Sequence, residues 1–96
     1  SYKVCWGTVK IAYACETASG SIYYGNATSI ANQNFASAFS AKPVCVMTLK
    51  TMSAGILGID AFDVQSGGIA NVRLKRATPY TDTSGIEAFY VAYGPA

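Results

Sequence analysis

The residues best suited to bind a ligand lie in the polar stretch from Ala77 to Gly85. Tyr80 has few apolar neighbours in this stretch, and a tyrosine ring combines a flat apolar surface with a hydroxyl group. That combination suits the face of a sugar ring. Asp82 adds a hydrogen-bond acceptor nearby, so Tyr80 and Asp82 are candidate ligand-binding residues in a predicted loop. The alternative is that Tyr80 folds back onto its own loop.

A second aromatic segment, Tyr23-Tyr24-Gly25-Asn26, also contains a turn signal. Neighbouring residues of an extended chain point in opposite directions, so one tyrosine should pack inward and the other outward. Tyr24 and Asn26 are therefore further candidate ligand-binding residues. Asn26-Ala27-Thr28 matches the acceptor pattern for N-glycosylation, and we interpret it as part of the turn.

One basic cluster is present, formed by Arg73, Lys75 and Arg76. Arg73 and Lys75 alternate with apolar residues, which predicts that they share the polar face of a strand. This face is either solvated or a patch that meets acidic surface sugars or a phosphate-bearing polymer, with arginine as a forked donor. Arg73 and Arg76 lie on the strand that leads into the Tyr80 loop. We therefore expect both guanidinium groups to reach the same pocket as Tyr80.

The composition excludes several classes of chemistry. The 96 residues include no histidine and only five carboxylates, so the usual general base and the commonest zinc ligand are missing. Asp60 and Asp63 would point to opposite faces of a strand, which disfavours calcium binding. We predict no enzymatic activity, no cofactor and no metal. The net charge of +2 is too small to indicate binding of a nucleic acid, so we expect no nucleic-acid partner. No apolar run is long enough for a membrane-spanning helix, so we expect no membrane insertion.

The chain has three cysteines, Cys5, Cys15 and Cys45, and an odd number leaves at least one thiol unpaired. A straight strand would separate Cys5 from Cys15 by roughly 33 Å, so their pairing requires a bend at Gly7-Thr8. Cys45 lies within an apolar run and is expected to be a small buried side chain. We predict three reduced thiols.

The elements that must position these residues are strands. Apolar residues alternate in Val9-x-Ile11-x-Tyr13, in Ala70-x-Val72-x-Leu74 and in Phe62-x-Val64. The stretches 43–49 and 86–93 are apolar on both faces, which is typical of strands buried on both sides. Turns are predicted at five glycine-containing sites: Ser19-Gly20, Gly25-Asn26, Ala54-Gly55, Gly67-Gly68 and Ser84-Gly85. Residues 1–96 are thus expected to form one all-β domain, a small antiparallel β-sandwich of about six strands.

The order of these features is similar to that of a known family. Trp6-Gly7, the segment from Phe35 to Val44 and the ending from Phe89 to Gly94 together resemble the C-terminal receptor-binding domains of bacteriophage tail fibres, which are related to H-type lectins. The resemblance implies a six-stranded, H-type lectin-like sandwich and a homotrimer at a fibre tip. That tip would belong to a virion tail fibre or to an extracellular fibre on a bacterial surface. The chain would then be the C-terminal fragment of a longer fibre protein.

The resemblance also carries expectations for individual residues. Phe35, Phe39 and Pro43 would fill one end of the sandwich, and Phe89 and Val91 would face the opposite sheet. The chain lacks the histidine of some lectin sugar sites, so no sugar-binding residue is transferred from the family.

Two functions follow as hypotheses. The first is a receptor-binding adhesin tip that recognises a bacterial surface glycan or polysaccharide. The alternative is a structural cap that trimerises the fibre and has no specific ligand. In both hypotheses the chain is a homotrimer, and we expect Tyr90 or its same-face neighbours near the three-fold axis.

Overall fold

The computed structural model describes residues 1–26, 33–50 and 55–96, including all of their side chains except those of Asn26, Gln33, Asp60 and Phe62. No described residue is helical, which confirms the all-β prediction. Accordingly, these residues contain no helix able to cross a membrane. The strands are β1 (Tyr2–Cys15), β2 (Thr17–Ser19), β3 (Ile22–Asn26), β4 (Gln33–Asn34), β5 (Val44–Leu49), β6 (Ile56–Gln65), β7 (Gly68–Arg76) and β8 (Tyr80–Pro95).

The strands form two antiparallel sheets, in agreement with the predicted small β-sandwich. The three-stranded sheet has the order β1-β8-β5. In the five-stranded sheet, β7 pairs with β3, β4 and β6, and β2 pairs with β3. The described strands number eight rather than about six. The additional strands β2 and β4 have three and two residues, too few for an alternation pattern to reveal them.

The core lies between the two sheets and is built from alternate residues of the long strands. In β1 the inward residues are Val9, Ile11, Tyr13 and Cys15, all of them buried. The other buried apolar residues come from the segment after β4, from β7 and from β8: Phe35, Phe39, Ile69, Val72, Leu74, Ala88, Tyr90 and Ala92. The period-two pattern therefore identified the correct inner face of β1 and, in β7, the inward Val72 and Leu74. It was wrong for Ala70, which is exposed while Ile69 is buried, because the register with β6 shifts opposite Asn71.

The segment between β4 and β5 closes one end of the sandwich, as predicted from Phe35, Phe39 and Pro43. All three residues are buried, and the two phenylalanine rings meet edge to face with their centroids 5.2 Å apart. The backbone N–H groups of Phe35 and Phe39 donate to carbonyl oxygens in the β6–β7 turn at 2.9 and 2.8 Å. The aromatic pair is thus fixed to one sheet while the chain crosses to the other.

The orientation of β8 is opposite to the one expected. Ala88, Tyr90 and Ala92 face the core, so Phe89 and Val91 lie on the outer face of the three-stranded sheet. The expectation that Tyr90 lies near a three-fold axis is wrong for the same reason, since its ring is buried within this chain. The ring fits because Gly7 lies opposite it in β1, where a β-carbon would come within 3.1 Å of the tyrosine hydroxyl.

The turn predictions have mixed outcomes. The turns at Ser19-Gly20 and between β6 and β7 are confirmed. The turns predicted at Gly25-Asn26 and at Ser84-Gly85 are wrong, because these residues belong to β3 and β8. Gly25 is required in β3 because a β-carbon would collide with the carbonyl oxygen of Ala14. Three other assignments involve residues or side chains outside the described part of the chain: the turn at Ala54, the Ala27-Thr28 acceptor sequence and the Asp60 carboxylate.

All three cysteines are free thiols, as predicted. Cys5 and Cys15 lie ten residues apart on the continuous strand β1, so they are too distant to form a disulfide. Cys45 is half-buried on the inner face of β5, and burial raises its pKa to about 11.

We expect Cys45 to react slowly with iodoacetamide, because the thiolate is the reactive form. At pH 8 its labelling should be about a hundredfold slower than that of a thiol with the ordinary pKa of 9, and the rate should rise up to about pH 11. The pKa is raised on folding, so the contribution of the buried thiol to stability is complete below pH 9 and is lost above pH 11. Mass spectrometry of the labelled Cys45 peptide, with urea-denatured protein as the control, measures the rate. Equal rates in native and denatured protein would contradict this expectation.

Candidate functional site

The outer face of the three-stranded sheet is apolar across all three strands. Two rows of paired residues cross it, Val4–Tyr93–Val44 and Trp6–Val91–Val46. Trp6 is 68% exposed and Val46 is 62% exposed. The surface that we call the apolar face comprises Tyr2, Val4, Trp6, Val44, Val46, Phe89, Val91 and Tyr93. Contiguous apolar patches of this kind mark interaction sites.

The apolar face ends at a polar border on one side. The next row along the strands is Thr8–Phe89–Thr48, and beyond it Glu87 is paired with Lys10. The ammonium group of Lys50 lies 3.5 Å from the Glu87 carboxylate. Charged groups therefore limit the apolar face at this end, and the patch has a defined extent.

The outer face of the five-stranded sheet has a different character. A shallow groove of about 370 Å³ lies where β2, β3 and β7 meet. The residues that line it, called here the basic groove, are Ser19, Ile22, Tyr24, Arg73 and Lys75. Tyr24 pairs directly with Lys75, and paired residues share one face of a sheet. Tyr23 pairs with the buried Arg76, so the two neighbouring tyrosines face opposite ways, as predicted.

Arg73 and Tyr24 are in contact within the basic groove. The central carbon of the guanidinium group lies 5.5 Å from the centre of the Tyr24 ring, within the range of a cation–π interaction. The described lining residues include two cations, and Asp60 of β6 lies opposite Arg73 in register with its side chain outside the described part. The groove therefore combines positive charge, an aromatic ring, an aliphatic side chain and a hydroxyl group.

Arg76 does not join this groove, and the expectation of a common pocket with Arg73 is wrong. Arg76 is only 8% exposed, and it donates to the Tyr13 hydroxyl at 3.3 Å and to the Thr78 carbonyl at 3.2 Å. Residues three apart on a strand point to opposite faces, so Arg73 lies outside the sandwich while Arg76 lies inside. The opposite orientation of Arg73 and Arg76 could have been inferred from their spacing in the sequence.

Tyr80 is not at a loop tip, because the predicted Ala77–Gly85 loop is largely the start of β8. The ring is 50% exposed and packs over the Arg76 guanidinium group, 4.8 Å from its centre. It also contacts the ring of Tyr13, with a centroid separation of 6.4 Å. Burial raises the pKa of Tyr13, and the charge of Arg76 opposes this effect. Tyr80 therefore folds back onto the protein, though onto other strands and not onto its own loop.

Asp82 stabilises an irregularity in β8. The register with β1 shifts between Ile11 and Tyr13, and Gly85 takes a φ of +87° at this point. One carboxylate oxygen of Asp82 accepts hydrogen bonds from the hydroxyl and backbone N–H of Ser84 and from the N–H of Gly85. These hydrogen bonds hold the pKa of Asp82 below its ordinary value, and the bond from the Ser84 hydroxyl has the largest effect. The local role of Asp82 is thus to fix this bulge.

The six residues predicted as a ligand site therefore separate into groups. Tyr24 and Arg73 meet in the basic groove, whereas Tyr80, Asp82 and Arg76 lie near the start of β8. Asn26 is opposite Arg73 in register, and its side chain is outside the described part.

The sequence analysis missed Ser19 and Ile22, which reach the groove through the β2–β3 hairpin. The available signal was the Ser19-Gly20 turn, which brings the residues on either side of it together. Within the described residues, no cluster of three or more cysteine or acidic side chains could hold a metal ion.

Comparisons with protein-family models, with curated proteins and with solved structures found no match. The similarity to H-type lectin-like fibre domains therefore stays a prediction. A functional assignment depends instead on the two outer faces of the sandwich, one apolar and the other basic and aromatic.

Proposed function

We propose that this domain is the receptor-binding tip of a homotrimeric fibre and that its basic groove attaches to a glycan on a cell surface. The observation that carries the proposal is the contrast between the two outer faces. The apolar face is suited to permanent contact with other copies of the chain, and the groove on the opposite sheet stays available to a ligand. Assembly and binding then use separate surfaces.

Assembly through the apolar face accounts for the two strands that are apolar on both sides. In the isolated chain, β5 and β8 bury only one side of each strand, which leaves residues such as Val46 and Tyr93 exposed to water. A cyclic arrangement of three chains buries such a surface in every copy and closes without free ends. The expected interface is of the standard size, about 800 Å² per partner.

Binding of a glycan in the basic groove depends on the pairing of an aromatic ring with polar groups. Tyr24 and Ile22 supply apolar surface for the C–H face of a sugar, and Ser19 and Arg73 supply hydrogen-bonding groups. The three grooves of a trimer would bind a polymeric glycan together, so weak single sites could still give firm attachment.

A structural cap without a ligand is the second candidate. The observation in its favour is that the apolar face extends over three strands, whereas the groove is shallow. A glycan array with the purified protein separates the candidates, because a cap should bind no glycan while remaining assembled.

Tyr24→Ala tests the position of the site. We expect it to weaken glycan binding by about 1–3 kcal/mol, the scale of an aromatic anchor, and to change the melting temperature little. Tyr80→Ala is the matched control, because it removes a tyrosine ring that also contacts an arginine. It should preserve binding and reduce stability by about 1 kcal/mol through the lost cation–π contact. If Tyr80→Ala abolishes binding and Tyr24→Ala preserves it, the binding site lies at the start of β8 and not in the basic groove.

A further inference from the structure

The three-stranded sheet has two outer edges, formed by β1 and β5. In the part of the chain that the structure describes, no strand pairs with the edge of β1 from Tyr2 to Thr8 or with that of β5. An open edge presents a row of backbone N–H and carbonyl groups, which is a template for pairing with a strand of another chain. The two edges are therefore a feature, separate from the side chains of the apolar face, through which copies can join.

The hydrogen bonds of β8 show which backbone groups lie at these edges. The Glu87 carbonyl accepts from the N–H of Lys50 at the end of β5, and the Ala96 N–H donates to the Ser1 carbonyl next to β1, both at 3.0 Å. Successive residues of a central strand bond to opposite neighbours, so odd-numbered residues of this part of β8 bond to β5 and even-numbered ones to β1. In the observed register, the backbone groups that point outward belong to Tyr2, Val4, Trp6 and Thr8 of β1 and to Cys45, Met47 and Leu49 of β5.

Neither edge has the usual protection against pairing. Natural proteins protect open edges with charged side chains, prolines or bulges. The sequence has no proline from Tyr2 to Thr8 or from Val44 to Leu49, and its one charged residue in these ranges is Lys3. The Lys3 ammonium group donates to the Ser37 hydroxyl at 2.8 Å, so the segment after β4 engages it. The register of both strands with β8 is regular over these residues.

A cavity of about 250 Å³ lies at the edge of β1 and is lined by Val4, Cys5, Trp6 and Ala36. Val4 and Trp6 are on the outer face of the sheet, whereas Cys5 packs against the core, so the cavity opens at the edge between the two faces. Recognition of an added strand combines main-chain hydrogen bonds with pockets for its side chains. The edge of β1 offers both.

The direction of the strands favours a ring of copies. β1 and β5 both run antiparallel to β8 and hence parallel to each other, so β1 of one copy can pair in parallel with β5 of the next. A two-fold pairing of β1 with β1 would leave both β5 edges open, whereas a closed ring pairs every edge. Three strands from each of three copies make nine, and a barrel of about eight strands has an interior that side chains can fill.

We infer that the partner at each edge of the three-stranded sheet is another copy of this chain, with β1 of each copy paired to β5 of the next in a closed ring of nine strands. The ring encloses the apolar face, so the same assembly covers its side chains and satisfies the backbone groups at its edges. This inference rests on the proposed homotrimer and specifies how its copies join.

Amide hydrogen exchange of the assembled protein, followed residue by residue by NMR, tests the pairing. We expect the outward N–H groups of Val4 and Thr8 to exchange about a hundredfold or more slowly than in an unstructured peptide. The outward N–H groups of Cys45 and Met47 should be protected in the same way. The Gly7 N–H bonds to β8 within one chain and is the internal reference for a protected amide.

Thr8→Pro tests the edge without altering the apolar face. It removes one outward N–H, and proline is tolerated on an edge strand where the N–H faces solvent. We expect association to weaken about tenfold or more, measured by light scattering over a dilution series. Thr8→Ala is the matched control, because it changes the same side chain and keeps the N–H, and association should stay within about threefold. The exchange measurement on the unmodified protein stands even if Thr8→Pro fails to fold.

Each contrary result has a separate meaning. A monomeric unmodified protein would overturn both the inference and the proposed trimer. A trimer in which the Val4 and Thr8 amides exchange as fast as in an unstructured peptide would overturn the edge pairing and leave assembly through the apolar face intact. A dimer with protected Val4 and Thr8 amides and unprotected Cys45 and Met47 amides would overturn the ring, since it would show β1 paired with β1.

Discussion

Trp6→Asp is expected to convert the proposed trimer into monomers at micromolar concentration. Trp6 lies in the middle of the apolar face, between Val4 and Thr8 along its strand and beside Val91. A buried tryptophan is a frequent binding hot spot worth 2 kcal/mol or more, and a carboxylate buried in its place would lack a partner. The side chain is largely exposed within one chain, so the fold of the monomer should survive.

Light scattering coupled to size exclusion measures the mass, and circular dichroism checks that the sheets are intact. Thr17→Asp is the control, because it places the same charge at an exposed position in the five-stranded sheet, away from the apolar face. It should leave the protein assembled. A monomeric unmodified protein, or a Trp6→Asp variant that still forms trimers, would show that the apolar face is not the assembly surface.

Phe39→Ala should cost about 3–5 kcal/mol of unfolding free energy, the range for removing a fully packed aromatic ring. Phe39 is buried against Phe35 at the end of the sandwich, and the ammonium group of Lys3 lies 4.9 Å from the centre of its ring. The pair fills the gap where the chain crosses between the sheets. Small domains have total stabilities of about 5–15 kcal/mol, so this loss would be a large fraction of the whole.

Urea denaturation measures this loss, and the Trp6→Asp background separates folding from assembly. Val46→Ala in the same background is the control, because Val46 is exposed in the single chain and its truncation should cost less than about 1 kcal/mol. A loss below about 1 kcal/mol for Phe39→Ala as well would contradict the packing role assigned to the segment between β4 and β5.

The candidate site was only partly predictable. Arg73 and Lys75 were correctly assigned to the outer face of a strand, because alternation with Val72 and Leu74 fixes their direction locally. Their meeting with Tyr24 was not predictable, because it requires β3 to pair with β7 across about fifty residues of sequence. Tyr80 was misjudged because a polar composition was taken to indicate a loop, whereas residues 80–82 pair with β1.

The sequence by itself determined the all-β class and the β6–β7 hairpin, and the resemblance to fibre-tip domains predicted the packing of Phe35 and Phe39 at one end of the sandwich. Each of these depends on local alternation, on turn chemistry or on the cost of leaving a large ring in water. Only the tertiary structure decided which side of β8 faces the core. The segment from Ile86 to Tyr93 is apolar on both sides, so its sequence pattern does not show which of its residues face the core. The space that Gly7 leaves for Tyr90 selects the inner side, and the opposite side becomes the exposed apolar face.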